Sequence, residues 1–428
     1  MKALAEFFLY FSLVILSCLT AGCTSEVDII GGTPETPENP QANDPNRRSV
    51  VISLQNKLIL VNGTPESRAI TRDGIAEEDE NRIESFDIYA FGSDKEEGPY
   101  TFQEHFAYRS DAGTLPTGAS PLELKADEAA GKINVVFYPR KGLFTKFYCV
   151  ANQTEMNDAA GNIYTNYTPL QQSSQLQSSV PGDMVTSPGT PTESDFVKLN
   201  TPLLNSTGFN ADILLAPLPM SGANSQPTDL REYSMGTYVR LNVSLTRAVA
   251  RFDIVNDATK SHFTITDISM GNGRQGVTLF PIRPTGDVPA TNGQLITYPY
   301  RLFDGLNANA GTTTKAFYCY PCKAIDAGFL ILKGLYAMNL TDEKKEVSYR
   351  IPFERVTDGD GSLIEINHNH RYTVQITEAD PFELTANIRL VDWETGDYID
   401  DYEPENGLET VIVADLLPAT ETTYDINA

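Results

Sequence analysis

From Val50 to Leu417 the chain is written almost entirely in short runs of alternating, β-branched and aromatic residues, each closed by Gly, Asp, Asn or Pro. Helical spacing of apolar residues is nearly absent. Such a chain can bury its apolar side chains only by stacking sheets, which predicts a mainly β fold of sandwiches. At 428 residues two in tandem are expected, with few short helices.

The first run, Val50–Val61 (VVISLQNKLILV), sets the pattern. Val50, Ile52, Leu54, Leu58 and Leu60 point one way, broken only by Asn56, while Ser53, Gln55 and Lys57 point the other. Period two predicts a half-buried strand. A second strand is expected at Ile83–Phe91. Between them lies NGTPESRAITRDGIAEEDENR, polar and acidic, with Arg68 and Arg72 isolated inside it and Arg82 at its end. This loop is expected to be exposed and open to proteases. A strand on a cuttable tether can be removed, leaving a groove where it lay.

Further strands are expected at Lys132–Tyr138, Thr145–Ala151 and Tyr238–Ile254, the last holding a domain boundary near Ser244 to Arg247. Others follow at Phe263–Ser269, Thr313–Tyr320, Gly328–Leu335, Glu346–Ile351, Arg371–Thr377, Thr385–Leu390 and Thr410–Leu417. Helices are expected near Leu122–Ala130 and Glu155–Gln172, and a long surface loop over Gln171 to Thr201. Residues 23–68 then form a propeptide with tether and removable strand, 69–244 and 245–393 two sandwiches, and 394–428 a tail.

The N-terminus reads as an export signal over residues 1–22. Lys2 precedes an apolar run, Phe7 to Leu19, too short to span a bilayer comfortably. Leu19-Thr-Ala-Gly-Cys23 has the form of a lipobox, with Cys23 the lipidated residue; ordinary signal cleavage after Ala21 or Gly22 is the alternative. Each buried CH₂ of an acyl chain contributes roughly 0.8 kcal/mol, so several chains would hold Cys23 firmly to a membrane. A formal net charge of −25 argues against nucleic acid as a partner. Beyond the signal and Cys23 only Cys149, Cys319 and Cys322 remain, too few for a disulfide framework.

Several motifs invite chemistry and fail its requirements. Gly271-Asn-Gly273-Arg-Gln-Gly276 matches a dinucleotide fingerprint, but Val277-Thr-Leu-Phe-Pro281 cannot open the helix that would meet a pyrophosphate, so a turn is expected. Cys319-Tyr-Pro-Cys322 has redox spacing without the helix N-terminus that would activate it; buried strand cysteines or a local disulfide are expected. His368-Asn-His370 lacks a third ligand nearby. Asp358-Gly-Asp-Gly-Ser362 lacks the glycine and glutamate of a calcium loop. No enzyme, cofactor or metal site is expected.

Taken together, the lipobox, the arginine-bearing loop, EEDENRIESFDIYAF, Met220-Ser-Gly, RAVARFDI, IEINHNHRYTVQIT and Trp393 in IRLVDWE resemble the Bacteroidetes fimbrillins, the type V pilin subunits. The resemblance implies two transthyretin-like β-sandwich domains and export as a lipoprotein to the outer membrane. It further implies cleavage by an arginine-specific protease and replacement of the lost strand by a neighbouring subunit. Carried over, Arg68 and Ala69 flank the cut, with Arg72 and Asp73 the alternative. The expected function is a shaft, tip or accessory subunit of extracellular fimbriae for adhesion and biofilm formation, with other pilin subunits as head-to-tail partners. A monomeric surface lipoprotein binding glycan or host protein is the rival, and a secreted β-sandwich hydrolase lacks a nucleophile–base pair.

The candidate donor is the tail. An acidic spacer, ETGDYIDDYEPENG, leads into Leu408–Leu417, where Leu408, Thr410, Ile412, Ala414 and Leu416 share one face. Ten residues at about 3.3 Å each reach roughly 33 Å, enough to line a sandwich edge. The alternative is that this strand completes its own C-terminal sheet.

Overall fold

The computed structural model describes residues 41–54, 59–60, 76–111, 113–127, 132–158, 163–165, 192–206, 211–224, 226–231, 238–281, 294–303, 309–339, 341–353, 362–392 and 410–415. Met1–Ala42 is a separate unit of which only Gln41 and Ala42 are described; the fold below is that of Asn43–Ala428.

The first half contains β1 (Val50–Leu54), β2 (Ile59–Leu60), β3 (Arg82–Ile83), β4 (Ser85–Ser93), β5 (Thr101–Arg109), β6 (Ser120–Pro121), β7 (Glu123–Asp127) and β8 (Lys132–Phe137). It continues through β9 (Phe144–Ala151), β10 (Glu155–Asn157), β11 (Ile163–Thr165), the one-turn helix α1 (Glu193–Phe196), β12 (Met220–Ala223), β13 (Thr228–Asp229), β14 (Val239–Val243) and β15 (Thr246–Arg247). One sheet has the order β14–β1–β8–β7 and the other β15–β12–β9–β4–β5–β6, with β13 beside β9. Alternate residues of both sheets meet in one core, Ile52, Ile133 and Val135 facing Phe86, Ile88 and Phe147.

Strand β4 is buried at every position because both its faces are covered. Phe86, Ile88 and Ala90 enter the sandwich core, while Tyr89 and Phe91 enter a second cluster with Phe102, Tyr148, Phe196 and Leu279. That outer cluster is closed by α1 and by a segment from the second half, where the Leu279 amide donates to the Leu199 carbonyl at 2.9 Å.

The second half contains β16 (Ala250–Asp257), α2 (Ala258–Ser261), β17 (Phe263–Gly271), β18 (Gly273–Arg274), β19 (Leu295–Ile296), β20 (Arg301–Leu302), β21 (Ala310–Cys319), β22 (Phe329–Tyr336), β23 (Lys345–Pro352), β24 (His370–Ala379), β25 (Glu383–Asp392) and β26 (Thr410–Asp415). Its sheets run β21–β16–β24–β25–β26 and β20–β17–β22–β23, around a core that includes Phe252, Phe263, Leu330, Tyr349 and Tyr372. Leu245 packs in the first core and Ala248 in the second.

The structure corrects several expectations. Val50–Val61 is not one strand: β1 pairs with β14 and β8, whereas β2 pairs with β3 in a separate ribbon. Tyr238–Ile254 likewise divides into β14, β15 and β16, in three different sheets. Neither expected helix is present among the described residues. Glu123–Asp127 is a strand antiparallel to β8, its Leu124 and Ala126 alternating with Glu123, Lys125 and Asp127. Glu155–Asn157 and Ile163–Thr165 form a two-stranded ribbon, consistent with the β-branched Ile163 and Thr165. Strand β5 goes unseen in the sequence because Gln103, Glu104, His105 and Arg109 mask the buried Phe102 and Phe106.

Candidate functional site

Strand β1 lies inside its sheet, paired on both sides. It runs parallel to β14, with Val50, Ile52 and Leu54 opposite Val239, Leu241 and Val243. It runs antiparallel to β8, where the same residues face Phe137, Val135 and Ile133. All three side chains are fully buried. At roughly 1.5–3 kcal/mol for each buried aliphatic side chain, they make β1 a major contributor to the first core. Arg47 pins the approach to β1, donating to Glu104 Oε1 at 2.8 Å and to the Tyr138 carbonyl at 2.6 Å. Because β14 has β1 as its one strand partner among the described residues, removing β1 would orphan β14 and open a slot beside β8. Unpaired backbone and bare apolar side chains in such a slot demand a replacement strand.

The tail strand sits differently. Among the described residues strand β26 lies at the end of its sheet and pairs with β25 alone, Thr410, Ile412 and Ala414 opposite Ile388, Ala386 and Leu384. In this chain it therefore completes its own C-terminal sheet, the second arrangement open to it from the sequence. A strand held by one ladder is easier to detach than one held by two. Cys23, Leu58, Arg68, Ala69, Arg72, Asp73, Trp393, Leu408 and Leu416 lie outside the described residues, as does most of Asp358–Ser362.

The end of the acidic loop is not solvated as its composition suggests. Residues Asp79–Asn81 form a 3₁₀ turn directly before β3, and Glu80 is fully buried. Its carboxylate accepts from Arg251 Nη1 at 2.7 Å and from the Tyr318 hydroxyl at 2.5 Å. Arg251, itself buried, also holds Asp253 through Nε at 2.7 Å. Arg247 Nη2 donates to Asn81 Oδ1 at 2.5 Å, and Nη1 to Asn369 Oδ1 at 3.2 Å. Opposite Asp253, the pairing of β16 with β21 bulges, and Lys315 stands there at φ +51°. The bulge turns the Lys315 ammonium onto Glu77 and Asp79, both at 2.8 Å.

The electrostatics follow from burial. Desolvation pushes the Glu80 carboxyl above its ordinary range, opposed by Arg251 and Tyr318. For Glu77 and Asp79 burial also pushes upward, but the Lys315 hydrogen bonds and charge more than offset it and hold both carboxyls low. Thus three of the motifs behind the fimbrillin resemblance converge: EEDENR meets RAVARFDI, and Asn369 of IEINHNHRYTVQIT completes the contact. Met220-Ser-Gly lies alongside, since Met220 pairs with Arg247 and a Cβ on Gly222 would collide with the Ser244 carbonyl.

The chemical motifs resolve into structure. Cys149, Cys319 and Cys322 are free and buried, and burial pushes the Cys149 and Cys322 thiols up to about 12. Between Gly271 and Gly273 the chain turns at Asn272, φ +53°, and β18 follows where a dinucleotide site needs a helix. His370 Nδ1 lies 2.7 Å from the His368 carbonyl at the start of β24. A buried pair with a half-buried arginine goes unseen in the sequence: Asp87 contacts His105 Nε2 at 2.7 Å and Arg109 Nη2 at 3.0 Å, with the His105 ring stacked on Tyr89. It satisfies a buried carboxylate on β4, and His105 Nδ1 makes no hydrogen bond among the described residues.

No family model matches the sequence, and no curated protein matches it. Solved structures with a similar chain path include the tip fimbrial protein Mfa3 of Porphyromonas gingivalis, truncated at its C-terminus. It is 14% identical, covering 81% of this chain and 100% of that one, at a TM-score of 0.44. A fimbrial assembly protein of Parabacteroides distasonis is 13% identical over 80% of this chain and 95% of that one, at 0.41. The fimbrial anchor protein Mfa2 of Porphyromonas gingivalis is 8% identical over 82% of this chain and 100% of that one, at 0.30.

Proposed function

We propose that this chain is a structural subunit of surface fimbriae that serve adhesion and biofilm formation, assembled by exchange of β-strands. The observation that carries the reading is the contrast between its two terminal strands. Strand β1 is enclosed between two neighbours and fills the first core, while β26 holds to its sheet by one ladder. Moving a tail from a one-sided edge into a two-sided slot gains a second ladder of backbone hydrogen bonds and re-covers apolar side chains. The tail of one subunit entering the next subunit's slot is a heterologous contact, which propagates as a filament.

In this reading the precursor is exported with Cys23 acylated at the outer membrane. An arginine-specific protease then cuts after Arg68, freeing Ala69, or after Arg72, freeing Asp73. The strand of Val50, Ile52 and Leu54 departs, and a neighbour's tail around Thr410, Ile412 and Ala414 takes its place. The subunit's role is mechanical, with no catalytic step. Deleting Leu408–Ala428 tests it: a folded, processed monomer that forms no filament is expected, and normal filaments from the truncated chain would contradict the mechanism.

A further inference from the structure

A cut after Arg68 leaves eight residues (69–76) ahead of Glu77, and one after Arg72 leaves four (73–76). With the propeptide gone, β3 loses β2, the one strand it pairs with among the described residues. Chain ends without such partners fray. From Arg82 onward the first sandwich keeps a grip, because Asn152 Oδ1 accepts from the Glu84 amide at 2.9 Å and Asn152 Nδ2 donates to the Arg82 carbonyl at 2.8 Å. Ahead of Arg82 the hold comes mainly from the second sandwich. Glu80 is sealed against Arg251 and Tyr318 and Ala76 packs on the second core, while Asn81 is held by Arg247 of β15, the last strand of the first sandwich. None of these partners belongs to the strands that leave.

We propose that Glu77–Asn81 is a clasp that fastens the segment after the arginine-bearing loop to the second sandwich, so that cutting the loop frees β1 without loosening the start of β4 or parting the two sandwiches. The inference rests on the reading that this loop is cut. Glu80 is the pin. Its partners Arg251 and Tyr318 lie 171 and 238 residues further along the chain, so the clasp joins parts that no local structure would hold together. Lys315, aimed by its bulge, steadies the outer side through Asp79. The clasp gives a subunit with an empty slot a fixed frame for the incoming strand, where a loosened first sandwich would collapse onto its exposed core.

Amide hydrogen exchange on the purified full chain, before and after cutting by an added arginine-specific protease, tests this. In the wild type, amides 77–81 should exchange equally slowly before and after the cut. In Glu80→Gln, which keeps the side chain's shape and removes its charge, they should exchange at least tenfold faster after the cut, with β24 and β25 unchanged. Lys315→Met, which disturbs no fully buried group, should show a smaller acceleration in the same window and serves if Glu80→Gln fails to fold. Wild-type amides that become as fast as an unfolded peptide on cutting, or variants indistinguishable from wild type, would overturn the clasp. Should the added protease leave the loop intact, the processing reading loses its basis and the clasp is decided by the same variants in the uncut chain. Filament formation does not enter the measurement, so this result and that of the tail deletion are separable.

Discussion

Ile52 and Glu80 show how differently single residues declare themselves. Ile52 is legible because its surroundings are written beside it: the alternation from Val50 to Leu54 marks the buried face, and the structure buries all three side chains. Replacing Ile52 with Ala should destabilise the unprocessed precursor by about 2–5 kcal/mol in chemical denaturation. The same change should leave the processed polymer unaffected, since there the strand is absent; equal destabilisation of both would mean that β1 stays. Glu80 is illegible because an acid inside EEDENR reads as solvated, and the residues that bury it are far away in sequence.

The acids around Glu80 make a pH prediction whose sign can be worked out. Glu77 and Asp79 have folded-state values below their ordinary ones, so their contribution is present above about pH 5 and is lost as pH falls through the folded values. Both are about a third exposed, so the effect is small and weakened by salt. Glu80 is shifted upward by burial, and its titration acts in the opposite direction. A comparison that isolates the outer pair is therefore needed. The melting-temperature difference between wild type and Lys315→Met should be largest near neutral pH and shrink toward zero by about pH 3. A difference that stays constant across that range would contradict the assignment.

At the scale of elements, periodicity identified strands well and their partners poorly. Val50–Val61 has one alternating pattern, yet β1 and β2 join different sheets, because pairing depends on β14, β8 and β3 far along the chain. The helices expected near Leu122 and Glu155 rest on short mixed runs; in Glu123–Asp127 alternation and cross-strand pairing with β8 outweigh the helix-forming Glu, Leu, Lys and Ala. Strand β4 gave a strong signal because both its faces are covered. Its outer cover comes from Phe196 and Leu279, which no local pattern could connect. The processing prediction belongs here, since it concerns how a strand is released. Protein isolated from filaments should begin at Ala69, after a cut at Arg68, in preference to Asp73. An N-terminus still at Cys23 would mean that no strand is removed.

For the whole molecule, two sandwiches were legible because runs of short strands leave a chain few other ways to bury apolar surface. How the sandwiches grip one another was not, since that contact is made of buried charges around Glu80 and of Leu279 in the outer cluster, each with its partners on the other half. Export is an independent prediction: labelled palmitate should enter wild type and not Cys23→Ala, and equal labelling of both would contradict lipidation at that residue. The central claim is that one subunit's tail fills the slot left by another's first strand. It is tested most directly by placing a photo-reactive side chain at position 412 of heavy-nitrogen subunits and mixing them with unlabelled, processed ones. Illumination of the filaments should join the heavy tail to unlabelled peptides containing Ile133–Phe137 or Val239–Val243. Crosslinks confined to β25 of the same heavy chain would contradict it.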